Sequence, residues 1–165
     1  MRRQDREMNR DFALMVVDTC EYAVLSMVNG AGEPYCVPIT IVRQGECIYF
    51  HCAMAGEKID CLRGHSQICM ACVGKTHRLT DRFTTEFESA ILRGDAQEVT
   101  EKEEKVEALR QLCQRHTPTN MHAFDEAIAG SLPRTAIWKI TIGEITGKRK
   151  KYDAQGKEMK FGRME

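Results

Sequence analysis

Residues 48–60 read IYFHCAMAGEKID. The apolar start predicts a strand that ends near His51, and Gly56 permits the turn into a short helix from Lys58 to Arg63. The first turn of a helix carries unpaired N–H groups and the positive end of the helix dipole. A lysine there is unfavourable unless an anion lies beside it, so Lys58 is the candidate phosphate ligand. His51 is a candidate to hydrogen-bond the same phosphate or the polar rim of a ring.

An alternative interpretation assigns no ligand to these two side chains. Surface lysines on short helices are common, and the electrostatic penalty is only roughly a few tenths of a kcal/mol. His51 would then be a hydrogen-bonded histidine at the end of a strand. The residues alone leave both interpretations open.

Further strands are predicted on both sides of this segment, because apolar runs there are bounded by turn residues. Pro38 lies inside one run and predicts a strand edge or a bulge, since proline cannot donate to a ladder. Gly94 predicts a bulge in another. About six strands result, and they cover Tyr22 to Val28, Tyr35 to Val42, Cys47 to Cys52, Gln67 to Val73, Phe87 to Val99 and Ala136 to Ile142.

Helices are predicted at the periphery of these strands. Apolar spacing predicts an amphipathic helix over residues 4–18, and a capping box from Thr100 to Glu103 opens a second long helix. Residues 76–85 are polar and predict a loop. Hairpin-linked strands with peripheral helices, and without alternation of strand and helix, favour a mainly β fold built on an antiparallel barrel.

Length and composition favour one globular domain. The chain has 165 residues, 42% of them hydrophobic, and a formal net charge of zero, so we expect neither nucleic acid nor a membrane surface as partner. No apolar run approaches the about 20 residues that span a bilayer, and the N-terminus is charged, so we expect a cytoplasmic protein. The expected division is a barrel domain over residues 1–146 and a basic C-terminal tail over residues 147–165.

The eight cysteines lie mainly in apolar runs, where free cysteine acts as a small buried hydrophobe. Cys69 and Cys72 form a CxxC pattern inside a predicted strand. Positions three apart in a strand point to opposite faces, which disfavours a shared zinc ion. We therefore predict no metal site, although a dimer stabilised by metal at these cysteines stays open as a hypothesis.

Four motifs occur in an order that resembles one protein family, the pyridoxamine 5'-phosphate oxidase-like FMN-binding split barrels, in their nitroimidazole-resistance branch. The resemblance covers nearly the whole chain, and its most specific part is the histidine followed by Gly-x-Lys. The motifs are Met1-Arg-Arg, Gly32-Glu-Pro-Tyr-Cys-Val-Pro38, Tyr49-Phe-His-Cys-Ala-Met-Ala-Gly-Glu-Lys58 and Ser89-Ala-Ile-Leu-Arg-Gly94.

This resemblance implies a homodimer with FMN in a groove between two subunits. His51, Cys52 and Lys58 would hold the phosphate and ribityl side of the cofactor. Ser89 would complete the polar contacts. Cys52 stands where relatives often carry serine, and a thiol is the poorer hydrogen-bond partner. The isoalloxazine ring would be lined by Val37, Pro38, Ile39 and Thr40.

The implied activity is a flavin-dependent reductase of small electron-poor substrates such as nitroaromatic compounds, with a nicotinamide as possible electron donor. The sequence assigns no proton donor and no catalytic residue. An alternative is a non-catalytic flavin- or haem-binding module on the same barrel, because a fold does not fix a function.

Overall fold

The computed structural model describes residues 2–163, and Met1, Met164 and Glu165 lie outside the described residues. Within that range, no helix has both the length and the apolar character needed to cross a bilayer. Short 3-10 helices cover Gln4–Arg6, Pro118–Ala123 and Leu132–Arg134. The strands are β1 (Glu7–Met8), β2 (Ala23–Val28), β3 (Pro34–Ile39), β4 (Val42–Gln44), β5 (Cys47–Cys52), β6 (Gln67–Leu79), β7 (Thr84–Glu98) and β8 (Ala136–Lys150), and the helices are α1 (Arg10–Thr19), α2 (Glu57–Gly64), α3 (Lys102–His116) and α4 (Phe124–Ser131).

Two residues join the opposite ends of the sheet. The strand order is β3-β2-β6-β7-β8-β5-β4, and β1 pairs separately with β8. Thr40 and Ile41 connect β3, the first strand in this order, to β4, the last. The sheet must therefore curl until its edges meet, which produces a barrel. The predicted antiparallel barrel is confirmed, with eight strands in place of about six.

One apolar core fills the barrel. Side chains alternate across a strand, so each strand sends every second residue inward. Five strands each contribute a side chain with 0% exposure, namely Leu25, Phe50, Met70, Leu92 and Ile140. The helices α1 and α2 close the barrel by adding Val16, Val17, Ile59 and Leu62 to the same cluster.

A second apolar cluster attaches α3 and α4 to the outside of the barrel. Leu109 and Leu112 of α3 pack with Ile137 and Tyr49 in this cluster, as the predicted apolar helix face requires. The Tyr49 hydroxyl donates a 2.9 Å hydrogen bond to the Glu104 carboxylate. The Lys139 ammonium donates to the same oxygen at 2.9 Å. Polar bonds thus fix α3 against both β5 and β8.

The predicted helix over residues 4–18 begins too early. Asn9 caps α1, because its side-chain oxygen accepts a 2.9 Å hydrogen bond from the Phe12 N–H. Asparagine is a favoured residue at this position, so the helix begins only at Arg10. Residues 4–8 form a 3-10 turn and a short strand paired with β8.

The capping box predicted at Thr100 is also wrong. Helix α3 begins at Lys102, and Glu101 occupies its N-cap without a side-chain cap hydrogen bond. The Thr100 hydroxyl lies 3.5 Å from the Glu101 carboxylate instead of bonding a helical N–H.

The loop predicted over residues 76–85 is confirmed only for residues 80–83, which form the turn between β6 and β7. Strand β6 continues to Leu79 and pairs with β7, with Thr76 opposite Phe87. The hairpin extends beyond β2, whose last partner on β6 is Cys72. Most side chains of this outer part are exposed, so no apolar alternation marks it in the sequence.

The basic segment at the C-terminus starts as a strand and then folds back on the N-terminus. Strand β8 continues to Lys150, four residues past the expected boundary at residue 146. The Lys160 ammonium donates to Asp5 at 2.6 Å, and the Arg6 guanidinium donates to Glu158 at 2.7 Å. The Arg6 hydrogen bond is the main cause that lowers the pKa of Glu158 to about 2. The division into a barrel domain and a basic C-terminal tail stays a prediction.

The predicted bulge at Gly94 is confirmed. The register of β7 against β8 shifts between Arg93 and Gly94. A Cβ atom at Gly94 would lie 2.2 Å from the Thr141 carbonyl oxygen, so only glycine allows this approach of the two strands.

Replacing Gly94 with alanine should therefore lower the free energy of unfolding by about 3 kcal/mol, because two backbones must move apart. Gly130→Ala is the control, since nothing lies within 4 Å of a Cβ at that site in α4. Alanine there should stabilise by about 0.5 to 1 kcal/mol. Urea unfolding measures both, and equal stability of the Gly94→Ala variant and the wild type would contradict the close approach.

Candidate functional site

The end of β5 and the start of α2 form a polar corner at the closed edge of the barrel. His51 and Cys52 are the last residues of β5, and Gly56 is the N-cap of α2 with a φ of 121°. Only glycine adopts this backbone conformation readily. The carbonyl of Gly56 accepts from the N–H groups of Ile59 and Asp60, at 2.8 and 3.1 Å. Gly56 provides no side-chain cap hydrogen bond, so the first N–H groups of α2 stay available to a ligand.

Lys58 is an uncompensated cation in this corner. Its half-buried side chain places the ammonium 6.0 Å from the centroid of the Phe50 ring. Across residues 2–163, no carboxylate oxygen lies within the 4.0 Å of an ion pair with it. Glu57 and Asp60 in the same helical turn are exposed. The corner therefore presents a positive charge next to the positive end of a helix.

The His51 ring is uncharged at neutral pH. Surrounding protein displaces water from the ring and lowers the pKa of the imidazole, although the side chain reaches the surface. The positive charge of Lys58, and then that of His116, lower this pKa further. The neutral ring offers one N–H donor and one acceptor nitrogen.

Cys52 is a protonated thiol in the same corner. Burial raises its pKa, and the nearby Glu98 carboxylate raises it too. Lys58 and Arg63 act in the opposite direction. A thiol is a weak donor, so Cys52 contributes less to anion binding than a serine would.

Residues 37–40, which were predicted to line the isoalloxazine ring, lie at the end of β3. They precede Val42 of β4, which pairs with Tyr49, two residues before His51. Pro38 is exposed on this edge strand, which agrees with the predicted edge. Ile39 is 8% exposed and belongs to the barrel core, so its side chain faces away from a surface ligand. The next carbonyl, that of Ile41, lies 2.9 Å from Nε2 of His116. His116 thus links the β3–β4 connection to the ring of His51.

Ser89 lies far from this corner along the strands of one chain. It pairs with Lys148 of β8, whereas His51 pairs with Ile137, eleven residues earlier on β8. That separation is about 35 Å of extended strand. The structure therefore brings His51, Cys52 and Lys58 together and leaves Ser89 elsewhere on the sheet.

Sequence reasoning missed His116 as a neighbour of this corner. The residue is the last of α3, and only the packing of that helix on the barrel brings it close to His51. A basic residue in the last turn of a helix is a common feature, so the sequence carried no specific signal.

Cys69 and Cys72 cannot bind one metal ion together. Cys72 is fully buried and pairs with Ala23 on β2, while Cys69 lies on the opposite, half-buried face of β6. In the part of the chain that the structure describes, no group of three or more His, Cys, Asp or Glu side chains is placed to hold a metal ion.

The chain matches one known family over most of its length. The family model of pyridoxamine 5'-phosphate oxidase matches residues 9–149. The chain belongs to this family. A comparison with curated proteins found no match.

Solved structures similar to this family member include three with different ligands or roles. A candidate 5-nitroimidazole antibiotic resistance protein from Bacteroides thetaiotaomicron is 19% identical, with a TM-score of 0.71 over 87% of this chain and 86% of that chain. An FAD and haem binding protein from Mycobacterium smegmatis is 18% identical, with a TM-score of 0.75 over 96% and 84%. A haem storage protein from Vibrio cholerae is 11% identical, with a TM-score of 0.61 over 85% and 91%. At these identities the likeness shows a shared fold.

The charge of Lys58 gives a direct test of the corner. Removing that positive charge in Lys58→Met should raise the pKa of His51, because the protonated ring no longer faces a like charge. Lys102→Met, at the exposed start of α3, should leave the pKa unchanged. NMR titration of the imidazole signals measures both, with the His51 signal identified by its loss in His51→Gln. An unchanged or lower His51 pKa in Lys58→Met would contradict the described geometry.

Proposed function

We propose that this protein binds FMN between two subunits and acts as a flavin-dependent reductase of small electron-poor substrates of the nitroaromatic type. The observation that carries the proposal is the unpaired ammonium of Lys58 at the start of α2 beside the neutral ring of His51. A phosphate monoester supplies the anion that this corner lacks.

The residues of the corner fit the phosphate end of FMN. Lys58 is a point charge for the phosphate, and the free N–H groups of the first turn of α2 are donors in the same direction. His51 adds one N–H donor without adding a charge. Cys52 offers a weak thiol donor to the ribityl chain, and this contact contributes least.

A mainly apolar row of residues on the outside of the sheet supports a homodimer. The row crosses five strands through directly paired residues, namely Pro38, Val24, Ala71, Ile91 and Thr146. Directly paired residues of neighbouring strands point to the same face. The inward neighbours of this row are core residues, so the row itself points outward. Ile91, the fourth residue of this row, is 43% exposed, and a second subunit packed on the row would cover it.

The proposed dimer would also allow Ser89 and Lys58 to contact the same flavin, although they lie far apart in one chain. Ser89 lies two residues from Ile91 on the same strand and therefore on the same outward face. A second copy that covers this face carries its own Ser89 to the interface. Each flavin would then contact the corner of one subunit and the Ser89 side of the other.

When bound, FMN supplies the redox chemistry of the reaction. The protein holds the phosphate at Lys58, and the apolar face around Pro38 and Ile91 excludes water from the ring. The lowered pKa of His51 favours the neutral ring, which donates one N–H to the phosphate end, so the corner itself assigns no proton donor to the reaction. The nitroimidazole-type substrate is supported by the fold shared with the Bacteroides thetaiotaomicron protein.

Haem binding is the second candidate, and His51 favours it. A neutral imidazole at the protein surface is the form that ligates haem iron. Two of the similar structures are haem-binding proteins by description. A Soret band in the purified protein would support this candidate.

The first test is the absorbance spectrum and flavin affinity of the purified protein. We expect bands near ~370 and ~450 nm, and bleaching of the ~450 nm band by a reduced nicotinamide nucleotide. In Lys58→Met, FMN affinity should fall roughly tenfold or more, because a charged hydrogen bond to phosphate is lost. Flavin fluorescence quenching measures this affinity. The control Lys102→Met should bind FMN like the wild type, and equal affinity in the Lys58→Met variant would exclude the assigned role.

The second test concerns the dimer. Ile91→Glu places a charge on the outward apolar face and should convert the dimer to a monomer while the barrel stays folded. Light scattering gives the mass, and circular dichroism gives the fold. Met159→Glu is the control, because this residue is similarly exposed at 37% but lies in the C-terminal segment. A wild-type monomer that still binds FMN would refute the shared groove.

A further inference from the structure

A basic groove lies at the outer ends of β6, β7 and β8, beyond the part of β6 that β2 covers. Its volume is about 440 Å³, within the range of small-molecule sites. Four cations and one histidine line it, together with two carboxylates and one aromatic ring. The lining residues that carry the argument are Lys75, His77, Glu86, Phe87, Glu88 and Lys151.

A β-bulge shapes this groove. Val73 pairs with Ser89 and Thr76 pairs with Phe87, so Gly74 and Lys75 together face one residue of β7. That is the geometry of a bulge, which redirects side chains. A Cβ at Gly74 would lie 3.0 Å from the Cβ of Glu88, so glycine permits the close approach.

A second cavity of about 400 Å³ lies on the other side of the bulge. Lys75 and Thr76 line both cavities, and Tyr22, which is 54% exposed to solvent, lines the second. The bulge therefore places a lysine between two cavities that each include an aromatic residue.

The carboxylates of the groove already have partners. Glu88 forms a 3.4 Å ion pair with Arg149. Glu86 accepts a 2.7 Å hydrogen bond from the Tyr152 N–H and lies 3.3 Å from Nδ1 of His77. The Tyr152 N–H is the main cause that lowers the pKa of Glu86, so this carboxylate stays ionised and bound.

Three lysines of the groove form no close ion pair among the described residues, although the Lys151 charge is near enough to Glu86 to help lower the pKa of that carboxyl. Lys150 donates to the Thr84 hydroxyl, which is uncharged. Within the described residues 2–163, neither Lys75 nor Lys151 has a carboxylate oxygen within the 4.0 Å of an ion pair. The groove is therefore net positive, and it attracts a multiply charged anion.

We propose that this groove binds a nucleoside diphosphate. Lys75 and Lys151 bind its phosphates, and the ring of Phe87, which also lines the groove, provides a surface on which its base stacks. The groove begins one residue from Ser89 on β7. If the protein binds flavin as proposed above, the closeness of the groove to Ser89 places the diphosphate beside the flavin site. The nucleoside diphosphate would belong to FAD or to a nicotinamide electron donor.

ADP is the probe, and isothermal titration calorimetry of the full chain is the measurement. The wild type should bind ADP, and the Lys75→Ala/Lys151→Ala variant should bind it roughly tenfold or more weakly. Lys102→Ala/Arg134→Ala is the matched control, because it removes the same total charge at two exposed residues, at the start of α3 and in the 3-10 helix Leu132–Arg134, that do not line the groove. Adenosine alone should bind more weakly than ADP, since it lacks the phosphates. No ADP binding by the wild type, or equal binding by the groove variant, would overturn the proposal.

Two further measurements, the affinity for FAD and the KM for the nicotinamide nucleotide, identify the molecule to which the diphosphate belongs. If it belongs to FAD, the groove variant loses affinity for FAD and keeps its affinity for FMN. If it belongs to the electron donor, the KM for the nicotinamide nucleotide rises and FAD binds no better than FMN in either protein. FMN affinity in Lys58→Met tests the flavin site separately, so failure of that site and failure of the groove are distinguishable.

Discussion

Closure of the barrel depends on the two residues, Thr40 and Ile41, that join the first strand of the sheet order to the last. A connection this short forces the edges of the sheet together, because two residues span only about 7 Å. The same closure brings the exposed edge at Pro38 toward the end of β5. Because Val42 pairs with Tyr49, the connection that follows β3 lies level with the end of β5, where the corner of His51 and Lys58 begins.

Much of this arrangement could be predicted from the sequence, because apolar alternation records which face of a strand is buried. The bounds of β5, Cys47 to Cys52, and the bulge at Gly94 follow from such local signals. The family was predicted from the order of its motifs and is confirmed by the family model over residues 9–149. The roles of the cofactor-binding residues stay predictions, although the structure does bring three of them together.

Other parts could not be predicted, because no apolar alternation marks them or because they depend on packing between segments that are distant in sequence. The outer halves of β6 and β7 lack alternation, so residues 76–85 resembled a loop. The basic groove is lined by residues of this hairpin, so it could not be predicted once the hairpin was interpreted as a loop. His116 approaches His51 only through tertiary packing of α3, and the separation of Ser89 from Lys58 depends on strand register. Neither property is encoded in a local pattern.

The central claim is that an anionic cofactor group lies where β5 leads into α2. A crystal structure of the protein with FMN bound tests it most directly. The account predicts the phosphate within hydrogen-bond distance of the Lys58 ammonium and of the first N–H groups of α2, with the ring against the sheet face of a second subunit. A phosphate bound at any other place, with Lys58 still free of an anion, would contradict the account.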